Sequence, residues 1–271
     1  MARTPHARPT QAAPRAPWRW AVLGLCLGAL PALALWAPAH WLAAGVRQAS
    51  GGQLQLQQAQ GTVWTGSARL VLTGGAGSTD QAALPGRVHW RLRPAWGGAL
   101  AQLAADCCTP QPLQLHAALG LGALRLQVAD GQSQWPAGVL AGLGTPWNTV
   151  QPQGRLQLVT TGVALQWAAG RMQVQGQAQL DALAVSSRLS TLRPMGSYRL
   201  LLQASADGQA PTLQLSTLDG ALLLSGSGQW VGQRLRFTGE ASAAPEREAQ
   251  LANLLNIIGR RSGARSIITL G

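Results

Sequence analysis

The chain has no lysine, one tyrosine, one phenylalanine, three cysteines and nine acids among 271 residues, set against 21 arginines and 11 tryptophans. Three cysteines cannot build a disulfide-rich scaffold. Cys26 lies in an apolar run, and Cys107 and Cys108 are adjacent, so the pair either closes a vicinal disulfide or stays reduced. With no second pair and no histidine at ligand spacing, a zinc site is not expected. Of the four histidines, His6 and His40 fall outside the body of the chain, and His89 and His116 alternate with apolar residues as solvated strand positions do. There is no G-x-S-x-G elbow, phosphate-binding loop or H-E-x-x-H pair. The few acids are scattered, and Asp130, Asp207 and Asp219 each precede a glycine, as turn residues do. These absences speak against an enzyme and against a metal or other cofactor.

The formal charge of +12 is carried entirely by arginine. Arg3, Arg8, Arg15 and Arg19 lie in the first 19 residues, which leaves 17 Arg against 9 acids in the remainder. The arginines beyond this arm are dispersed along alternating segments, with Arg87, Arg91 and Arg93 the densest set, and no nucleic-acid module surrounds them. They read as a solvated polar face. Attraction to anionic lipid headgroups is the alternative, and nucleic acid is not an expected partner.

What is present is, first, a long apolar run. Trp20 to Val46 contains no acid and no arginine and is bounded by Arg19 and Arg47. About 20 apolar residues in a helix cross ~30 Å of hydrocarbon, so the run predicts a transmembrane helix. Trp18, Trp20, Trp36 and Trp41 mark its ends as interfacial tryptophans do. The arginine-rich arm 1–19 then stays in the cytoplasm by the positive-inside rule, and 47–271 lies on the other side. A cleaved signal peptide ending at Ala39 is the rival, since Ala37-Pro38-Ala39 has the form of a cleavage site. An uncleaved anchor is favoured because apolar character resumes from Trp41 to Val46.

From Gln53 the periodicity becomes two. Val88-His89-Trp90-Arg91-Leu92-Arg93 alternates cleanly, and Pro94, unable to donate to a ladder, is expected to stop it. Similar segments recur at Leu70–Leu72, Leu113–Leu115, Leu124–Val128, Arg155–Thr160, Val163–Ala168, Met172–Val185, Tyr198–Ala206, Thr212–Thr217, Ala221–Val231 and Arg234–Ala241. Asp207-Gly208 and Asp219-Gly220 are hairpin signals. Gly98–Ala105 and Pro136–Leu143 read as single helical turns or loops, and 134–152 as a seam between two halves. The expected fold is mainly β: an antiparallel meander, curled or sandwich-like, following the anchor. Near the end, Pro245 in a first turn, Leu251, Leu254, Leu255 and Ile258 on one stripe, and Gly259 as C-cap predict an amphipathic helix. It either covers an open sheet or docks a partner.

Three stretches, in this order and spacing behind the anchor, resemble the type II secretion system protein N (general secretion pathway protein N) family: Gly61-Thr62-Val63-Trp64-Thr65-Gly66-Ser67-Ala68-Arg69-Leu70, Val88-His89-Trp90-Arg91-Leu92-Arg93-Pro94, and Leu254-Leu255-Asn256-Ile257-Ile258-Gly259-Arg260-Arg261. Each has a packing reason: Gly61 and Gly66 permit tight turns or close backbone approach, and Trp64 offers a large area to bury. The resemblance implies a single-pass inner-membrane protein of a Gram-negative envelope with a periplasmic domain, accessory to the export of folded proteins. Its implied partners are other secretion components, with the outer-membrane channel among them, and it carries no catalytic residues. A fainter similarity to AsmA-like proteins implies an open β groove, hence a lipid-binding or lipid-transfer alternative.

Overall fold

A computed structural model describes residues 18–120, 122–168, 171–204, 210–232 and 234–271. The cytoplasmic-arm reading for residues 1–17 and the Asp207-Gly208 hairpin signal lie outside the described residues. The chain forms two units, divided between Ala37 and Pro38.

The apolar run expected as one span is two helices, α1 (Trp18–Leu35) and α2 (Ala39–Ala49). The interruption falls at Pro38, which lacks an amide donor and disfavours helical geometry at the residue before it. Pro38 instead takes φ −71° and ψ 148°, caps α2 and bridges to Thr62. Arg19, expected as a flank, lies inside α1. The described part of α1, eighteen residues, rises about 27 Å. No helix among the described residues is long and apolar enough to cross a membrane.

Among the described residues sixteen strands follow: β1 (Leu54–Gly61), β2 (Thr65–Thr73), β3 (Gln81–Ala83), β4 (Val88–Ala95), β5 (Gly98–Ala105), β6 (Leu113–Gly120), β7 (Ala123–Val128), β8 (Gly131–Pro136), β9 (Gln153–Ala168), β10 (Arg171–Ser186), β11 (Gly196–Gln203), β12 (Thr212–Gly220), β13 (Leu222–Val231), β14 (Arg234–Ala243), β15 (Arg260–Ser262) and β16 (Arg265–Leu270). All belong to one antiparallel sheet ordered β1-β2-β4-β5-β6-β7-β9-β10-β11-β12-β13-β14-β16-β15, with β3 beside β2 and β8 beside β9. The described strands are thus continuous in one hydrogen-bonded sheet. Between β8 and β9 the chain makes a 3-10 helix (Ala137–Leu143) and the one-turn α3 (Trp147–Val150).

Two local expectations are corrected. Gly98–Ala105 is a strand: its alanines have little strand preference of their own, but β4 and β6 supply ladders on both sides. A Cβ at Gly98 would collide with the Ala117 carbonyl, so the strand can begin only with glycine there. Pro94 lies within β4, opposite Ala99, and the strand runs on to Ala95. The amide of Leu92 donates to the Trp64 carbonyl at 2.6 Å, so position 94, two residues on, faces the same side beyond the end of β2, where no ladder donor is required.

The register sorts the side chains into two faces, because directly paired residues share one. Leu56 pairs with Leu70, Trp90 with Leu103, Leu103 with Leu113, Leu115 with Val128, and Leu126 with Leu165. Past the bulge at Gly176 the apolar row continues through Leu180–Leu200, Leu200–Leu215 and Leu224–Ala241. The other face carries pairs such as Gln102–Gln114, Arg125–Gln166 and Asp181–Arg199. Three covers protect parts of the apolar face. Ala39 and Leu42 of α2 pack on Ala68 and Trp90, and Val139 of the 3-10 helix packs with Leu84, Ala105 and Cys108. At the far end α4 (Glu248–Ile258) buries Leu251, Leu254 and Leu255 against Met195, Tyr198, Leu222 and Ala241. Leu115, Leu126, Val128 and Leu165, between these covers, are half-buried.

Candidate functional site

The first two motifs meet around one side chain. Gly61 pairs with Gly66, and Gly66 with Trp90, across three adjacent strands. The Trp90 indole is buried on the apolar face, and its Nε1–H donates to the carbonyls of Thr62 (3.1 Å) and Val63 (3.0 Å). A Cβ on Gly66 would sit 2.5 Å from both the Gln60 carbonyl oxygen and Trp90 Cζ2. Gly61 holds φ +88°, which glycine adopts freely, and a Cβ there would meet the Thr65 carbonyl at 2.5 Å. Trp64 is half-buried and contributes its carbonyl to Leu92. Trp90 thus fastens the β1–β2 turn to β4.

The polar face above this cluster holds a shallow depression of about 470 Å³ lined by Gln60, His89, Arg91 and Gln102. His89 Nε2 lies 3.1 Å from Asp106 Oδ1, and Asp106 Oδ2 accepts the Arg87 amide at 3.0 Å. That amide first, and then His89, hold the Asp106 carboxyl below its usual range. Ser67 stands directly across from His89, but its Oγ receives Arg87 Nε at 3.1 Å. Among the described residues no hydroxyl bonds to His89, and both members of the His–Asp pair are half exposed to water. The arrangement pairs an imidazole with a carboxylate at the surface, and among the described residues it couples no nucleophile to a base. His116 only approaches Gln127, Nδ1 to Oε1 at 3.5 Å. No group of three His, Cys, Asp or Glu able to hold a metal occurs among the described residues.

The polar face near the other end carries a pair that the sequence reading missed. Arg199 donates from Nε and Nη2 to the two Asp181 oxygens at 2.8 Å each, and Gln179 Nε2 donates to Oδ2 at 3.0 Å. Arg199 first, with Gln179, holds the buried Asp181 carboxyl below its usual range. The detectable signal was a lone acid in mid-strand with no turn glycine after it. Arg199 also lines an open depression of about 540 Å³ with Gln214, Ser225, Thr238 and Glu240.

The third motif is divided by the structure. Leu254 and Leu255 are core residues of α4, so the helix covers the sheet with its apolar stripe. Pro245 precedes α4, which starts at Glu248. Gly259 does stand at the C-cap position, but with extended backbone (φ −170°, ψ 178°) in place of the expected left-handed cap. Glycine fits there because a Cβ would lie 2.6 Å from the Ile267 carbonyl. Arg260 and Arg261 belong to β15. Arg47 lies in the last turn of α2 and is exposed. Cys107 and Cys108 are joined as a vicinal disulfide, with Cys108 buried beside Val139.

A single antiparallel sheet, polar on one face and helix-covered along parts of the other, defines an all-β scaffold whose accessible chemistry is at edges and faces. The family model for type II secretion system (T2SS), protein N, matches residues 52–268, and the chain belongs to that family. Its role is therefore in type II protein secretion, among the other components of that system. No curated protein and no solved structure matches the chain.

Proposed function

We propose that the chain is a non-enzymatic accessory component of the type II machinery, anchored once in the inner membrane, with the sheet in the periplasm and contacting other envelope components. The family match over residues 52–268, nearly the whole sheet, is the observation that carries this reading. Support for the anchor comes from α1, where Trp18, Trp20, Leu23, Leu25, Leu27, Leu33 and Leu35 are exposed. A helix that is apolar on every side, with Arg19 its one charged residue, suits a lipid environment. For partner contact the sheet offers β1 as a terminal strand of eight residues. Its straight part, Leu54–Gln57, precedes a bulge, whereas β15 at the opposite edge is three residues long and bears two arginines. The apolar stripe of α4 is already buried, which favours the β1 edge for strand addition, with the outer-membrane channel one partner it would suit.

Photo-crosslinkers at Gln55 and Gln57 in intact cells are expected to capture another secretion component; capture of lipid alone would overturn the edge assignment. Reporter fusions at both ends, with membrane fractionation, test the topology. A cytosolic C-terminus or a freely soluble mature chain would end the anchored reading, and N-terminal sequencing would reveal cleavage after Ala39.

The half-buried apolar strip over β6 and β7, between the described covers, favours a second reading, in which that strip holds lipid as an AsmA-like groove would. Mass spectrometry of the purified chain should then find co-purified lipid; consistent absence would eliminate it.

A further inference from the structure

One end of the sheet is unlike the rest of its surface. The β4–β5 and β6–β7 connections and the last residues of β9 lie at that end, and the large apolar residues there are exposed: Trp96 fully, Leu119 at 70%, Leu124 at 38% and Trp167 at 39%. They are neighbours. Leu119 pairs with Leu124 and Leu124 with Trp167, and the Leu119 amide donates to the Gly97 carbonyl at 2.7 Å, which places the Trp96 turn beside the row. The surrounding charge has one sign. Arg91–Leu103, Leu115–Val128 and Val163–Gln175 contain no acid, and Arg91, Arg93 and Arg125 are exposed on the face opposite the apolar row. At the other end of these same strands stand Asp106 and Asp130.

We infer that this end of the sheet docks into the headgroup region of an anionic phospholipid bilayer. The stretches Ala95–Gly98, Ala118–Leu124 and Trp167–Arg171 contain only Ala, Gly, Leu, Trp and Arg. A protein partner would be recognised through side-chain donors and acceptors that these stretches largely lack. Turn amides and carbonyls need water, which the headgroup layer supplies and a dry protein interface does not. Indoles and leucines at that depth bury apolar area, and the arginines behind them meet phosphate charge. Large apolar side chains exposed side by side at one end of the sheet mark a contact surface.

The test uses the full chain carrying C26S and one environment-sensitive thiol label, at L119C or W96C on the hairpin end, or at T79C in the β2–β3 loop at the opposite end. Each is reconstituted in phosphatidylcholine alone and in phosphatidylcholine with phosphatidylglycerol, both containing a nitroxide at headgroup depth. Labels at 119 and 96 are expected to be quenched in the anionic bilayer, weakly in the neutral one, and less with rising salt. The label at 79 should stay unquenched in both. R93Q and R125Q should each weaken the anionic-dependent part roughly fivefold. Equal quenching at 119, 96 and 79 would overturn the assignment, as would a 119 label shielded by added secretion proteins and by no lipid. The comparison is internal to one chain, so its failure leaves the secretion role, tested at the β1 edge, untouched.

Discussion

Trp90 lies against Gly66, its Cζ2 occupying the space where any other residue would place a Cβ, while its Nε1–H closes on the two carbonyls of the neighbouring turn. The position is closed on both sides, since the Gln60 carbonyl is equally near. G66A is therefore expected to destabilise the fold by about 2 kcal/mol, read as a lower denaturation midpoint at unchanged slope. Combining it with W90F should cost less than the two changes added, because the smaller ring releases the clash; strict additivity would show that the two residues do not interact.

Asp181 is 6% exposed, and the Arg199 side chain is 38% exposed, so water screens part of their attraction. D181N should cost about 1–2 kcal/mol at neutral pH after that discount. The sign with pH follows from the lowered carboxyl. Its contribution is complete above the unfolded value, roughly 3.9, and disappears as pH falls through the lower folded value. Wild-type stability should thus drop below about pH 4 more steeply than that of D181N, as acid titrations followed by circular dichroism would show.

The Tyr198 hydroxyl is buried beneath α4 and has no hydrogen-bond partner among the described residues, and burial pushes its phenol pKa upward. An unpaired buried hydroxyl costs about 1–3 kcal/mol. Y198F should accordingly be neutral or stabilising by up to ~1 kcal/mol, measured by thermal or urea unfolding. A clear loss of stability would mean that the hydroxyl does find a partner.

Leu254 is 2% exposed within the cluster beneath α4. L254A should destabilise by about 2–4 kcal/mol. Hydrogen exchange should rise first in α4, β13 and β14, where the cover sits, and leave β6–β7 unchanged; a uniform rise would show that α4 holds the whole sheet.

Strand identity was legible wherever polar and apolar residues alternate, as at Val88–Arg93, since a period of two leaves one face to bury. It failed at Gly98–Ala105, where alanine carries no preference and the neighbouring strands decide. The separate segments Arg155–Thr160 and Val163–Ala168 are one strand because Gly162, at φ +59°, lets the backbone pass through a bulge. β3, β15 and β16 carry too few residues or too mixed a pattern to stand out locally. At the candidate site, the glycines and Trp90 were recognisable as packing residues, but which atoms they meet depends on the register of three strands. Asp181 and Arg199 stand 18 residues apart on different strands, and nothing local couples them.

The strand order has a consequence for how such a molecule is made. Nearly every strand lies beside its predecessor in the chain, so each new hairpin needs only the edge already built before it. A polypeptide that lengthens from its N-terminus can extend its sheet strand by strand, with β9 and β10 the longest step in that growth. The cover α4 finds its core partners Met195, Tyr198, Leu222 and Ala241 already in place, because all of them precede it in the chain.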